Sequence, residues 1–193
     1  GANMDTNRTI HAGGGTSLNA FVAAGETSSG GGSYNNGVTC EEYYDNSGTM
    51  AWRAGGDYPY VQYYITGAGQ QTNAIAGGGN GTHTKSTHSH KYNGTAWSGI
   101  GQTGSGTIGY GAYAATMGGN FDDAIYFAGY ASSITGETET WDGSTWTGSG
   151  TMTARYNAGG DGNSTNAIVY SGTGTAVCQK FASGVWSSSI GNA

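Results

Sequence analysis

In 193 residues with 39 glycines, one proline and 9% charged side chains, glycine recurs too often for long helices, helical bundles or coiled coils, because each interior glycine costs a helix about 1 kcal/mol relative to alanine. No stretch of roughly 20 apolar residues is present to span a membrane as a helix, and Gly1 to Asp5 is neither basic nor apolar, as a secretory leader would be. The net charge is −6 and the six cations (Arg8, Arg53, Lys85, Lys91, Arg155, Lys180) are scattered, so no basic stripe marks a nucleic-acid or anionic-membrane partner.

Low charge and 12% aromatic residues argue against disorder, which goes with weak hydrophobicity and high net charge. An internal repeat decides for a folded chain. In copy one, Ile10 to Gly14 reads as a first strand and Asn19 to Gly25 as a small apolar second one. A long connection from Gly25 to Thr39, holding Tyr34, leads to Tyr43, Tyr44 and then Trp52. The aromatic segment Asp57 to Tyr64 follows. Copy two repeats the pattern with Gly67-Ala68-Gly69, Asn73 to Gly78 and Tyr92-Asn93-Gly94-Thr95-Ala96-Trp97. Copy three has Gly118-Gly119, Asp123 to Gly129 and Trp141-Asp142-Gly143-Ser144-Thr145-Trp146. Copy four has Gly159-Gly160, Asn166 to Gly172 and Phe181-Ala182-Ser183-Gly184-Val185-Trp186.

Each unit therefore reads as four short strands. Asn-Gly and Asp-Gly supply positive backbone angles for a tight hairpin, so the aromatic residue and the tryptophan pack across the turn. A continuous apolar second strand is one covered on both faces, which predicts deep burial around Phe21, Ile75, Ile125 and Ile168. Radially repeated four-stranded sheets are the blades of a β-propeller.

Double glycine after an early strand, then a tyrosine and then a tryptophan, resembles the kelch repeat over about residues 8 to 190. The Gly/Thr/Ser-rich style is most similar to kelch-like repeats of structural proteins in tailed bacteriophages. The resemblance implies an all-β fold, a single domain over 1–193 with approximate repeats 8–56, 57–105, 106–152 and 153–190. A closed four-bladed ring is the favoured arrangement and an open arc the alternative.

Reactive chemistry is sparse. His88 and His90 share a strand face and could hold a metal, but no nearby cysteine or carboxylate completes a site, so solvated histidines are the better reading, His83 included. Gly104, Gly106 and Gly109 match G-x-G-x-x-G without a helix to follow. Asp161-Gly162-Asn163 lacks the later glutamate of a calcium loop. Galactose oxidase carries similar repeats, yet neither Cys40 nor Cys178 matches its copper site, and both are expected as free, half-buried thiols. No catalytic residue and no cofactor are expected.

The expected function is a non-enzymatic virion structural or attachment protein (fibre, tail or capsid decoration) located on a virion or extracellular surface. Its partners would be other virion or surface-assembly subunits, in an oligomeric assembly, and cell-surface glycans. An extracellular carbohydrate-binding, lectin-like module is the alternative; an oxidase or glycosidase ranks below both. Tyr58 and Tyr60, flanking the only proline, and Tyr34 in the long connection are the expected binding residues, with accessible rings, since tyrosine gives large contact area at small entropic cost.

Overall fold

The structure is a computed structural model that describes residues 3–29, 33–81, 86–100, 108–109 and 111–192. Regular structure among them is all β, with no helix. Four antiparallel four-stranded sheets follow one another along the chain, each a meander of neighbouring strands. The first holds Ala12–Gly15, Ala20–Ala23, Cys40–Asn46 and Thr49–Ala54. The second holds Thr66–Gln70, Asn73–Gly77, Ser89–Tyr92 and Trp97–Ile100. The third holds Thr116–Gly119, Ala124–Phe127, Thr138–Trp141 and Trp146–Gly148. In the fourth, Gly159–Gly162, Asn166–Tyr170, Val177–Ala182 and Val185–Trp186 are joined by Gly191–Asn192, which pairs with the third strand. The long connection of copy one forms its own hairpin, Glu26–Ser29 against Ser33–Asn36.

The turn chemistry differs from expectation. Ser47-Gly48 and Ser183-Gly184 both have two positive φ values and make the two-residue turns. Asn93-Gly94 and Asp142-Gly143 instead open four-residue loops, because Tyr92 pairs with Trp97 and Trp141 with Trp146. There the Asn93 and Asp142 Oδ1 atoms each accept two backbone N–H groups further along the loop. The side chain thus does locally what a tighter backbone turn would do.

Aromatic pairing across each hairpin is as the repeat predicts. Ring centroids are 5.1 Å apart for Tyr43–Trp52, 4.8 Å for Tyr92–Trp97, 5.4 Å for Trp141–Trp146 and 5.2 Å for Phe181–Trp186. Three apolar clusters join consecutive sheets. Phe21, Ala23 and Ala74 with Tyr92 bridge sheets one and two. Ile75 with Met117, Trp141 and Trp146 bridges two and three. Ile125 and Phe127 with Val169, Phe181 and Trp186 bridge three and four.

The second strand is buried in the first three sheets but not in the fourth. Ala124 to Phe127 are fully covered, whereas Ile168 and Tyr170 are 42% and 47% exposed. The deep burial expected around Ile168 is thereby corrected. One face of that strand packs on sheet three through Ala167 and Val169, and its other face has no sheet against it among the described residues.

Glycine in the innermost strands is dictated by close approach. A β-carbon at Gly14 would stand 2.7 Å from the Gly69 carbonyl oxygen, and one at Gly118 would stand 2.5 Å from the Gly162 nitrogen. Neighbouring inner strands could not come so near with larger residues.

Candidate functional site

The four inner strands line one cavity of about 590 Å³, walled by Gly13 to Gly15, Thr66 to Gln70, Ala115 to Met117 and Ala158 to Asp161, with Tyr170 at its side. Its lining is mostly small side chains and main chain, with Gln70, Met117 and Tyr170 the larger groups. Asp161 is the one carboxylate among these residues, and its Oδ1 accepts from the Gly162 amide at 2.7 Å. At one end, a 220 Å³ recess is ringed by Ile10, Tyr64, Ala114 and Asn157, one from each repeat. All four take left-handed backbone angles, φ 48°, 53°, 54° and 54°. Such angles are uncommon outside glycine. They bend each lead-in segment sharply into its inner strand.

One residue earlier in repeats two to four stands a tyrosine: Tyr63, Tyr113 and Tyr156. Together with Tyr64 and Tyr130 these make a continuous strip beside the recess. Successive centroids are 5.7 Å (Tyr63–Tyr64), 5.5 Å (Tyr64–Tyr113), 5.2 Å (Tyr113–Tyr130) and 6.0 Å (Tyr130–Tyr156). Every ring is half-buried or exposed. Loss of solvent, then crowding by its phenol neighbours, raises the Tyr113 pKa, so that ring presents a neutral hydroxyl. The sequence reading missed this strip. Its signal was present in repeats two to four as a tyrosine at one fixed position, just before the residue that leads into the inner strand.

Each lead-in segment is anchored at one repeat position on its sheet's third strand, two residues before the aromatic that pairs with the tryptophan. Glu41 accepts from the Asp5 and Thr6 amides and from Arg8. His90 Nδ1 shares a 3.0 Å hydrogen bond with Tyr58 Oη. Glu139 accepts from the Gly109 amide, and Gln179 from the Thr153 amide and Arg155.

That anchoring decides the expected binding residues. Tyr58 is 1% exposed, edge-on to Trp97 at 5.1 Å and His90 at 4.9 Å. Its expected accessibility is corrected, because the Asp57–Tyr60 segment folds under sheet two instead of looping outward. Burial raises its pKa strongly. Tyr60 is half-buried against the same cluster, 5.2 Å from His88 and 5.4 Å from His90. Tyr34 stands on the hairpin strand Ser33–Asn36, and its side chain lies outside the described part of the chain. The structure does not bring Tyr58, Tyr60 and the strip together into one surface.

Of the two described histidines of this segment, His88 is half-buried and His90 is not solvated as expected. His90 is 2% exposed, and burial, with the nearby His88, lowers its pKa to about 4. His88 Nδ1 lies 3.2 Å from Ser86 Oγ. His83, Gly104 and Gly106 lie outside the described residues. Among the described residues, no three of His, Cys, Asp and Glu gather as a metal site. Cys40 and Cys178 are both free thiols. Cys40 is fully buried rather than half-buried, and burial pushes its pKa up to about 12. Between sheets one and two, buried Glu42 accepts from Arg53 Nε at 2.7 Å, Gln71 Nε2 at 2.7 Å and Tyr92 Oη at 2.6 Å, a structural tie. No protein-family model matches the sequence, and no curated protein does.

Proposed function

We infer that the four sheets are kelch-like blades of a β-propeller-type module. We also infer that the module is a non-enzymatic structural or attachment part of a virion or other extracellular surface. The observation that carries the reading is the tyrosine strip beside the recess. Five closely spaced rings, Tyr64 itself on left-handed backbone, form an aromatic contact surface, and tyrosine suits interfaces for its area and low ordering cost. The virion setting rests on the Gly/Thr/Ser-rich kelch-like character of the repeats.

The test is fractionation of the native source with an antibody to the chain. Copurification with particles or surface filaments is expected, and recovery only as free protein would overturn the attachment reading. A carbohydrate-binding role is favoured by one specific feature, rings beside a cavity lined by polar main chain, where sugar faces could stack. Saturation-transfer NMR against a panel of neutral oligosaccharides separates the two. Signal lost on Tyr113→Ser supports the lectin-like role, and no transfer from any sugar rules it out.

A further inference from the structure

The three junctions between consecutive sheets share one set of contacts. In the first, a backbone amide of the later sheet's first turn donates to the side-chain oxygen that opens the earlier sheet's second strand. These are Gln71 to Asn19 Oδ1 at 2.9 Å, Phe121 to Asn73 Oδ1 at 3.0 Å, and Ser164 to Asp123 Oδ1 at 2.8 Å. In the second, the glycine after the earlier sheet's second strand donates to a carbonyl of the later lead-in segment. Gly25 pairs with Gln62 at 2.8 Å, Gly79 with Ala112 at 2.9 Å, and Gly129 with Arg155 at 2.8 Å.

The third contact is an indole. Trp146 Nε1 donates to Ser89 Oγ and Trp186 Nε1 to Thr138 Oγ1, both at 2.9 Å, each acceptor being the first residue of the earlier sheet's third strand. At the first junction the equivalent residue is Cys40, a weak acceptor, and the buried Trp97 Nε1 makes no hydrogen bond. The same tryptophans press on the earlier sheet's second strand, Trp97 on Phe21 at 5.9 Å and Trp186 on Phe127 at 5.3 Å. At the middle junction Lys91 Nζ also reaches across, 2.7 Å from the Gly143 oxygen and 5.2 Å from the Trp141 ring.

Sheet four carries the earlier half of this set. Asn166 opens its second strand, Gly172 follows it, Cys178 precedes Phe181 as Cys40 precedes Tyr43, and Lys180 stands where Lys91 does. Ile168 and Tyr170 take the places of Ile125 and Phe127 but are exposed. Sheet one carries the later half: the Ser17 amide, the Arg8 carbonyl, and Trp52 stacked near Tyr43. Among the described residues these two halves do not meet.

We propose that the open face of sheet four seats the Trp52 face of a second copy of this chain, head to tail. In that junction Trp52 of one copy covers Ile168 and Tyr170 of the other and points its indole N–H at Cys178. Lys180 lies over Tyr43, as Lys91 lies over Trp141. Asn166 accepts from Ser17, and Gly172 donates to the Arg8 carbonyl. The occupant follows from continuity with the three internal junctions, and it stands whatever the module attaches to. A heterologous contact leaves the same two faces at its ends, so it closes as a ring or grows. Two copies supply eight sheets, the upper end of the range typical of propellers.

Light scattering after size exclusion tests the proposal on the parent chain, Ile168→Asp, Trp52→Lys and an equimolar mixture of the two variants, with circular dichroism to check folding. The parent is expected at a whole multiple of 19.5 kDa, twice or more, and each variant at one chain's mass. The mixture is expected at twice that mass, because one intact junction remains when each variant lends its good face. A parent of single-chain mass, a folded variant that keeps the parent's mass, or a mixture that stays single overturns the proposal. Lys180→Glu, a change at an exposed side chain, serves as the face-four variant if Ile168→Asp does not fold, with the same outcomes. Attachment to particles or sugars is read separately, so either idea can fail alone.

Discussion

Arg155 repeats in the fourth sheet what Arg8 does in the first. Arg8 Nη1 donates to the Ala24 and Thr39 carbonyls and Nη2 to Glu41. Arg155 Nη1 donates to the Ser171 and Val177 carbonyls and Nη2 to Gln179. Both guanidinium groups are buried, and each ties its lead-in segment to the end of the second strand and the start of the third. The partners differ in charge, since Glu41 is an acid and Gln179 an amide. Desolvation without a facing carboxylate lowers the Arg155 pKa.

Arg8→Ala and Arg155→Ala are each expected to cost about 3 kcal/mol or more, since buried carbonyls lose their donors and, at Arg8, a buried acid loses its partner. Urea unfolding measures it. A loss within about 0.5 kcal/mol of the parent at either position would remove that arginine from its tying role.

Trp186→Ala is expected to cost about 3 to 5 kcal/mol, because the ring is buried between Phe127 and Phe181 and its indole bonds Thr138. Trp52→Ala, half-buried on the free face of sheet one, should cost roughly 1 kcal/mol in dilute protein. Equal losses in urea denaturation would contradict the difference in burial.

His90 links stability to pH. Its folded pKa of about 4 lies below the unfolded value of 6.5, so between those values the unfolded chain binds more protons. Stability from this residue is complete above pH 6.5 and falls as pH drops toward 4, by up to roughly 1 kcal/mol per pH unit. His11 is lowered too, by burial and then by Arg8, and acts in the same direction. His90→Gln should therefore make the acid limb of a Tm-versus-pH curve shallower without flattening it. An unchanged limb would mean His90 titrates normally.

Gly118→Ala would force its β-carbon to 2.5 Å from the Gly162 nitrogen, and an expected cost of about 1 to 3 kcal/mol follows from overpacking. Gly148→Ala meets nothing within 4 Å and should be neutral or stabilising by up to about 1 kcal/mol. Thermal melts of the pair give the comparison, and indifference at Gly118 would show that the inner strands can separate freely.

The repeat itself was legible because burial, turn and aromatic pairing reinforce one another at fixed positions. Phe21, Ile75 and Ile125 and the three later aromatic–tryptophan pairs were all readable that way. Ile168 was not, since its residue type matches Ile125 and only the missing neighbour exposes it. Tyr58 misled for a related reason: aromatics beside a proline look like a loop tip, while the hydrogen bond to His90 that buries Tyr58 spans 32 residues. The tyrosine strip could have been found by aligning the residues ahead of each inner strand, but its rings come from successive repeats and meet only when the sheets assemble.

Three like junctions also set how the chain comes apart. Among the described residues, sheets two and three are held on both sides, sheets one and four on one side only. In such a nearest-neighbour stack, opening starts at the ends and moves inward. Amide hydrogens of Ala124 to Phe127 should then exchange slowest and those of Asn166 to Tyr170 sooner, a gradient of protection running from the middle of the chain to its ends.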